Sequence, residues 1–177
     1  MYWCKLIWSR LARDTRGSEI AEAAAVLPLM FMVLLGIFWF GQAFSIYGTI
    51  THAAREGARA AAVPSCSTCA AGTTPNANAW AAIQASMRAS HLDPSNASQP
   101  STIPSFVSCG GTTGCDPNYT NVCIQQPVQI TDTATGTGVC GVSVSFQYPY
   151  QFWLPFSTLN LQKIQLPANA AERIETQ

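Results

Sequence analysis

Residues 23–40 are almost purely apolar, and no charged side chain occurs between residues 23 and 51. Spanning a bilayer takes roughly 20 apolar residues in helical form. The run therefore predicts a membrane helix over about 23–47. Only Pro28 interrupts helical sequence between residues 18 and 62, so one long helix over 18–63 is expected. Proline removes one backbone hydrogen bond, a loss that membrane helices tolerate when neighbouring groups satisfy the freed carbonyl. Beyond the apolar run the pattern turns amphipathic. Ile46, Ile50, Ala54, Ala58 and Ala61 recur at spacings of three and four, while His52, Arg55, Glu56 and Arg59 form a second stripe. That is the pattern of a helix laid against a domain. Gly48, Ala53 and Gly57 add small residues that permit close backbone approach, and Pro64 ends the helix.

The remaining residues, 64–177, predict a small α+β domain. Residues 64–76 are a loop by composition, and Thr74 followed by Pro75 is a helix start with a cap and a first-turn proline. A short helix over 76–90 follows, with Trp80, Ile83 and Met87 on one face. Residues 91–121 are rich in Pro, Gly, Ser and Asn, and are expected to be mostly irregular. Strands are expected over 122–132 and 138–153, joined as a hairpin by the turn at 133–138. Val142, Val144 and Phe146 alternate with Ser143, Ser145 and Gln147, which predicts a strand with one face in water. Residues 159–175 supply one or two further strands, and Pro167 implies an edge or a break there. The fold class is thus α+β: a long N-terminal membrane helix, a short helix and a small antiparallel sheet.

Charge sharpens the topology. The formal net charge is zero, which argues against nucleic acid as a partner. Residues 1–17 nevertheless carry Lys5, Arg10, Arg13 and Arg16 against Asp14, and the remainder of the chain is acidic by the same margin. A basic leader before an apolar run places the N-terminus inside and residues 64–177 outside. An ordinary secretory signal has a shorter apolar region ending at a small-residue cleavage site. Here "ARAAAV" lies well beyond the run, behind Arg55, Glu56 and Arg59, so retention as a single-pass helix is the better description.

Cysteine usage fits an oxidising compartment. Cys4 lies in the leader, whereas Cys66, Cys69, Cys109, Cys115, Cys123 and Cys140 all follow the membrane helix. Up to three disulfides are expected among these six, in any of 15 pairings. They would staple a loop-rich middle with little apolar content. Cys66 and Cys69 also have the spacing of a redox pair or half a zinc site. Zinc requires a matching second pair or histidines, and His52 and His91 lack ligand spacing. A thioredoxin-like motif would sit between a strand and a helix, not in a Ser/Thr loop. Structural disulfides are the expected use, and no metal or other cofactor is implied.

Nothing in the chain marks an enzyme. There is no Gly-rich phosphate loop, nucleophile elbow or metalloprotease helix. The acids Asp93, Asp116, Asp132, Glu172 and Glu175 are scattered and expected to be solvated. No catalytic residue and no small-molecule substrate is assigned.

The stretch "RGSEIAEAAAVLPLM" with "AAREGARAAA" after the apolar run resembles the N-terminal region of TadE-like proteins. These are minor pseudopilins of the tight-adherence (Flp, type IVc) pilus machinery. The tail segment "VSVSFQYPYQFWLPF" and the Arg-Glu ending are similar as well. The resemblance implies a pilin-like fold in a bacterial inner membrane. It implies a leader, residues 1–17, removed by a prepilin peptidase cutting between Gly17 and Ser18. Glu22 then becomes the prepilin glutamate at mature position five, although Ala23 stands where the family usually has an aromatic residue. Glu22 could neutralise the Ser18 amine of its own or a neighbouring copy, because intramembrane ions persist when paired. Its alternative place is the headgroup layer, where it costs little. Arg55, Glu56 and Arg59 form a candidate patch for other pilins, pseudopilins and inner-membrane assembly proteins. Their alternative is a solvated face with a Glu56–Arg59 pair worth about 0.2–0.5 kcal/mol. The resemblance implies a non-enzymatic pseudopilin. The alternatives are an unprocessed single-pass anchor for a binding or adhesion module and a thiol-redox protein using Cys66 and Cys69.

Overall fold

The computed structural model describes residues 16–63, 74–110, 113–131, 136–151 and 163–174. The leader up to residue 15, Cys66, Cys69 and turn residues 133–135 lie outside the described residues. The chain divides after Gln42 into two compact units.

Helix α1 spans Arg16–Ala62 and contributes to both units, with Pro28 inside it. Its first part is apolar on every side. Leu29, Phe31, Met32, Ile37 and Phe40 are all exposed, as is Glu22 near the start. A helix apolar all round, uncovered among the described residues, fits a membrane span. At about 1.5 Å per residue, 20–42 covers about 35 Å, enough for a hydrocarbon core of about 30 Å. Helix α1 is thus long and apolar enough to span a membrane, fitting a single-pass membrane protein.

In the second unit α1 behaves as a core helix. Ile50, Ala53, Ala54, Ala58 and Ala61 are buried, and His52, Arg55 and Arg59 are exposed, as the two stripes predict. Helix α2, Pro75–Ala89, starts where expected: Thr74 Oγ1 accepts from the Ala77 N–H at 3.2 Å, and Pro75 fills the first turn. Its buried face is Ala79, Ile83 and Met87, with Trp80 half-buried. The helix closes on a Schellman motif. Leu92 N–H donates to the Met87 carbonyl and His91 N–H to that of Arg88, with His91 at φ 58°.

Among the described residues the sheet has four strands in the order β1-β2-β3-β4. These are β1 (Val107–Ser108), β2 (Cys123–Thr131), β3 (Gly138–Gln151) and β4 (Lys163–Arg173), antiparallel throughout. Pro167 sits on the edge strand β4, as its missing N–H requires. Pro127 lies inside β2, where the residue pattern predicts an unbroken strand. The β2–β3 register shifts between Gln125 and Val128, around a residue with no N–H to give the ladder.

The core joins the α1 stripe, the buried face of α2 and one face of the sheet: Val122, Ile124, Val142, Val144, Phe146, Tyr148 and Ala168. The opposite face departs from expectation. Ser143 and Ser145, predicted to meet water, are each only 2% exposed, and Gln125 is 1% exposed. The register sets Gln125 opposite Ser143 and Cys123 opposite Ser145, so all four share that face. Chain around Pro104 and Thr113, to either side of β1, reaches it. The Gln125 amide donates to the carbonyls of Pro104 (3.2 Å) and Thr113. Alternation reports the two faces of a strand, and it cannot report a loop that closes over the polar one.

Candidate assembly helix and the stapled domain

The sequence-assigned residues fall into three places. Gly17 and Ser18 lie in the first turn of α1, and Glu22 follows one turn later, exposed. Arg55 and Arg59 stand one turn apart on the exposed side of α1, within the domain unit. Glu56, between them, is half-buried and turns to a different partner from the one anticipated. Its Oε1 lies 3.9 Å from His52 Nε2, not against Arg59. His52 Nδ1 in turn lies 3.4 Å from Ser86 Oγ on α2.

Close helix packing explains the glycine between these charges. A Cβ at Gly57 would stand 2.6 Å from Ile83 Cγ1 and 3.3 Å from the Ala79 carbonyl oxygen. Ile83 is fully buried and cannot swing away. In the string Arg55-Glu56-Gly57-Ala58-Arg59, Gly57 therefore faces α2 and Ala58 is buried, while Arg55 and Arg59 are exposed.

Four of the six candidate cysteines are paired: Cys109 with Cys140 and Cys115 with Cys123, at Cα separations of 5.8 and 4.7 Å. Both bonds tie the covering segment to the β2–β3 hairpin. Cys123 is fully buried, whereas Cys140 is exposed.

A polar latch beside the second bond was not anticipated. Asp116, expected to be solvated, is half-buried. Its Oδ1 accepts from the Asn118 N–H at 3.0 Å and the Asn118 amide at 2.8 Å. Its Oδ2 accepts from the Asn76 amide at 2.6 Å, and Asn76 Oδ1 accepts from the Gln126 amide. The chain of bonds links the start of α2, the covering segment and β2. The Asn118 backbone N–H, helped by the Asn76 amide, holds the Asp116 carboxyl below the usual carboxylate range. Asp93 is likewise lowered, by the Ser95 N–H it caps at 2.9 Å. Only an acid following Cys115 and paired Gln125-Gln126 following Cys123 hint at the latch in the sequence.

Among the described residues no three His, Cys, Asp or Glu side chains are grouped to hold a metal ion. A half-open cleft of about 230 Å³ between the covering segment and β4 is lined by Pro104, Phe106, Ser143, Asn169, Ala170 and Ala171. It contains no titratable side chain.

No curated protein and no solved structure matches this chain. Residues 17–59 match the family model described as TadE-like protein. The matched segment begins at Gly17 and ends at Arg59, lying wholly within α1. Over that helix the chain is similar to the TadE-like proteins.

Proposed function

We propose that the protein is a minor pseudopilin, structural rather than enzymatic, taking part in assembly of a Tad (Flp-type) adhesive pilus. The observation that carries this is the coincidence of the TadE-like match with a helix that begins beside Gly17 and is apolar from Ala23 onward. In this reading a prepilin peptidase removes the basic leader after Gly17. The helix then stays in the inner membrane, with its new N-terminus at the cytoplasmic side and residues 64–177 outside. The Ser18 amine is a cation at a helix N-terminus, where the dipole disfavours it. Glu22, one turn on, supplies the countercharge within the same copy or to the next. Arg55 and Arg59, exposed just beyond the membrane segment, offer a surface to other pilins, pseudopilins and inner-membrane assembly proteins. Two disulfides binding loop to sheet give the thiol-redox alternative no support.

N-terminal sequencing of the full chain from cells with and without prepilin peptidase tests the proposal. A mature start at Ser18 that depends on the peptidase is expected. An intact Met1 in both strains would leave an unprocessed membrane anchor as the better account.

A further inference from the structure

The order of the cysteines disagrees with the order of their bonds. Cys109–Cys140 encloses Cys115–Cys123, with sequence separations of 31 and 8. Cys115 and Cys123 are neighbours and partners, but Cys109–Cys140 passes over both, so the neighbours Cys109 with Cys115 and Cys123 with Cys140 must not pair. A chain entering an oxidising compartment from its N-terminal side presents Cys109 and Cys115 together before Cys140 arrives. At roughly 5–20 residues per second, Cys140 follows Cys115 by about 1–5 s, within the range in which catalysed oxidation proceeds. Loop-closure entropy does not prevent the wrong choice, because it changes only slowly with loop length.

The wrong bonds are incompatible with the sheet. Cys123 is opposite Ser145, and Cys140 is opposite Gln129. In the paired hairpin the two cysteines are thus separated by the run from 140 to 145, roughly 17 Å at about 3.4 Å per residue. A disulfide needs Cα atoms within about 7 Å. The same holds for the first pair. Cys109 N–H donates to the Pro127 carbonyl and Asp116 N–H to that of Ile124, each at 3.3 Å, which sets Cys109 and Cys115 roughly 10–14 Å apart along β2. A consecutively bonded chain therefore cannot close the β2–β3 hairpin or lay the covering segment over Ser143 and Ser145. The hairpin, which would select the correct partners, exists only after β3 has emerged.

We infer that the domain is a client of a thiol–disulfide isomerase, which converts consecutive bonds into the nested Cys109–Cys140 and Cys115–Cys123 pair. The exchange balances without an added oxidant. An isomerase thiolate attacks Cys115 Sγ of a Cys109–Cys115 bond, forming a mixed disulfide and releasing the Cys109 thiolate. That thiolate attacks Cys140 Sγ of a Cys123–Cys140 bond, forming Cys109–Cys140 and releasing the Cys123 thiolate. Cys123 then attacks Cys115 Sγ, forming Cys115–Cys123 and returning the isomerase thiolate. Two disulfides enter and two leave.

The inference rests on the proposed placement of residues 64–177 in an oxidising compartment, and the test separates the two. The full chain is produced in a host with and without its periplasmic disulfide isomerase, thiols are blocked, and bonds are mapped by non-reducing peptide analysis. The nested pair is expected to fall at least fivefold without isomerase, with Cys109–Cys115 and Cys123–Cys140 peptides in its place. In a Cys115→Ala/Cys123→Ala chain, Cys109 and Cys140 become consecutive to one another. Their bond should then form equally in both hosts. Nested bonds in equal yield without the isomerase would overturn the inference while leaving the compartment intact. All four thiols reduced in both hosts would overturn the compartment, and the inference with it.

Discussion

On one face of the sheet Val142, Val144 and Phe146 are sealed by apolar contact with α1 and α2; on the other Ser143, Ser145 and Gln125 are sealed just as completely by irregular chain. The first face is closed by side chains that leave water spontaneously. The second is closed by a segment that is held down, through two disulfides and the amides of Gln125, Asn76 and Gln126. Equal burial therefore hides unequal causes. Substitutions on the apolar face should act through lost packing, and those on the polar face through the staples and the hydrogen bonds.

The largest effect belongs to the apolar face. Phe146 is fully buried at the centre of β3, and Phe146→Ala should cost about 3–5 kcal/mol. Denaturant unfolding of the full chain in mild detergent measures it. A cost below about 1 kcal/mol would mean that the staples, not the core, hold the domain together.

The disulfides come next, and the chain-entropy relation ranks them. Closing 31 residues is worth about 3.7 kcal/mol and closing 8 about 2.5 kcal/mol. Cys109→Ala/Cys140→Ala should therefore be the more destabilising pair. Access runs against that order: Cys140 is exposed and Cys123 buried. Graded reductant followed by alkylation and mass mapping should open Cys109–Cys140 first. Release of Cys115–Cys123 first would mean that loop length, not exposure, sets the order of reduction.

A subtler contrast lies between adjacent residues. Ser145 Oγ is buried with no hydrogen-bond partner among the described residues. A buried, unpaired hydroxyl is a liability, so Ser145→Ala should stabilise by about 1 kcal/mol where Phe146→Ala destabilises. The same unfolding measurement reads both signs. Loss of stability in Ser145→Ala would show that the hydroxyl is paired.

The two faces also differ in how much the sequence disclosed. The spacing of Ile50, Ala54, Ala58 and Ala61, the Thr74-Pro75 start, Ile83 with Met87, and the alternation of Val142, Val144 and Phe146 all follow from periodicity. Each was legible because an apolar side chain has one favoured place, away from water. The edge placement of Pro167 was legible for a similar reason, since a missing N–H fits few positions. Ser143 and Ser145 were misjudged because a serine's own chemistry does not say whether a loop lies over it. The nested disulfide pairs and the Asn76–Asp116–Gln126 chain depend on contacts between segments far apart in sequence, which local pattern does not encode. The helix that carries the family likeness was legible throughout. Glu56 was the exception, since both His52 and Arg59 lie within one turn and only geometry selects between them.

The smallest effect should come from the Asp116 latch, and pH isolates it. Its carboxyl is held below the ordinary value chiefly by the Asn118 N–H, then by the Asn76 amide. A group lowered on folding contributes stability that is fully present above its unfolded pKa of about 3.9. That contribution is lost as pH falls through the lower, folded value. Because solvent still reaches the carboxylate, it should be worth less than about 1 kcal/mol. Asp116→Asn keeps the shape and removes the charge. The melting temperature of the full chain should exceed that of the variant at pH 7, and the gap should close as pH falls below about 4. Asp93 titrates in the same range but is present in both chains, so it cancels in the difference. A gap that stays constant with pH would mean that the latch holds the covering segment by shape alone, and that the charge on Asp116 contributes nothing to sealing the polar face.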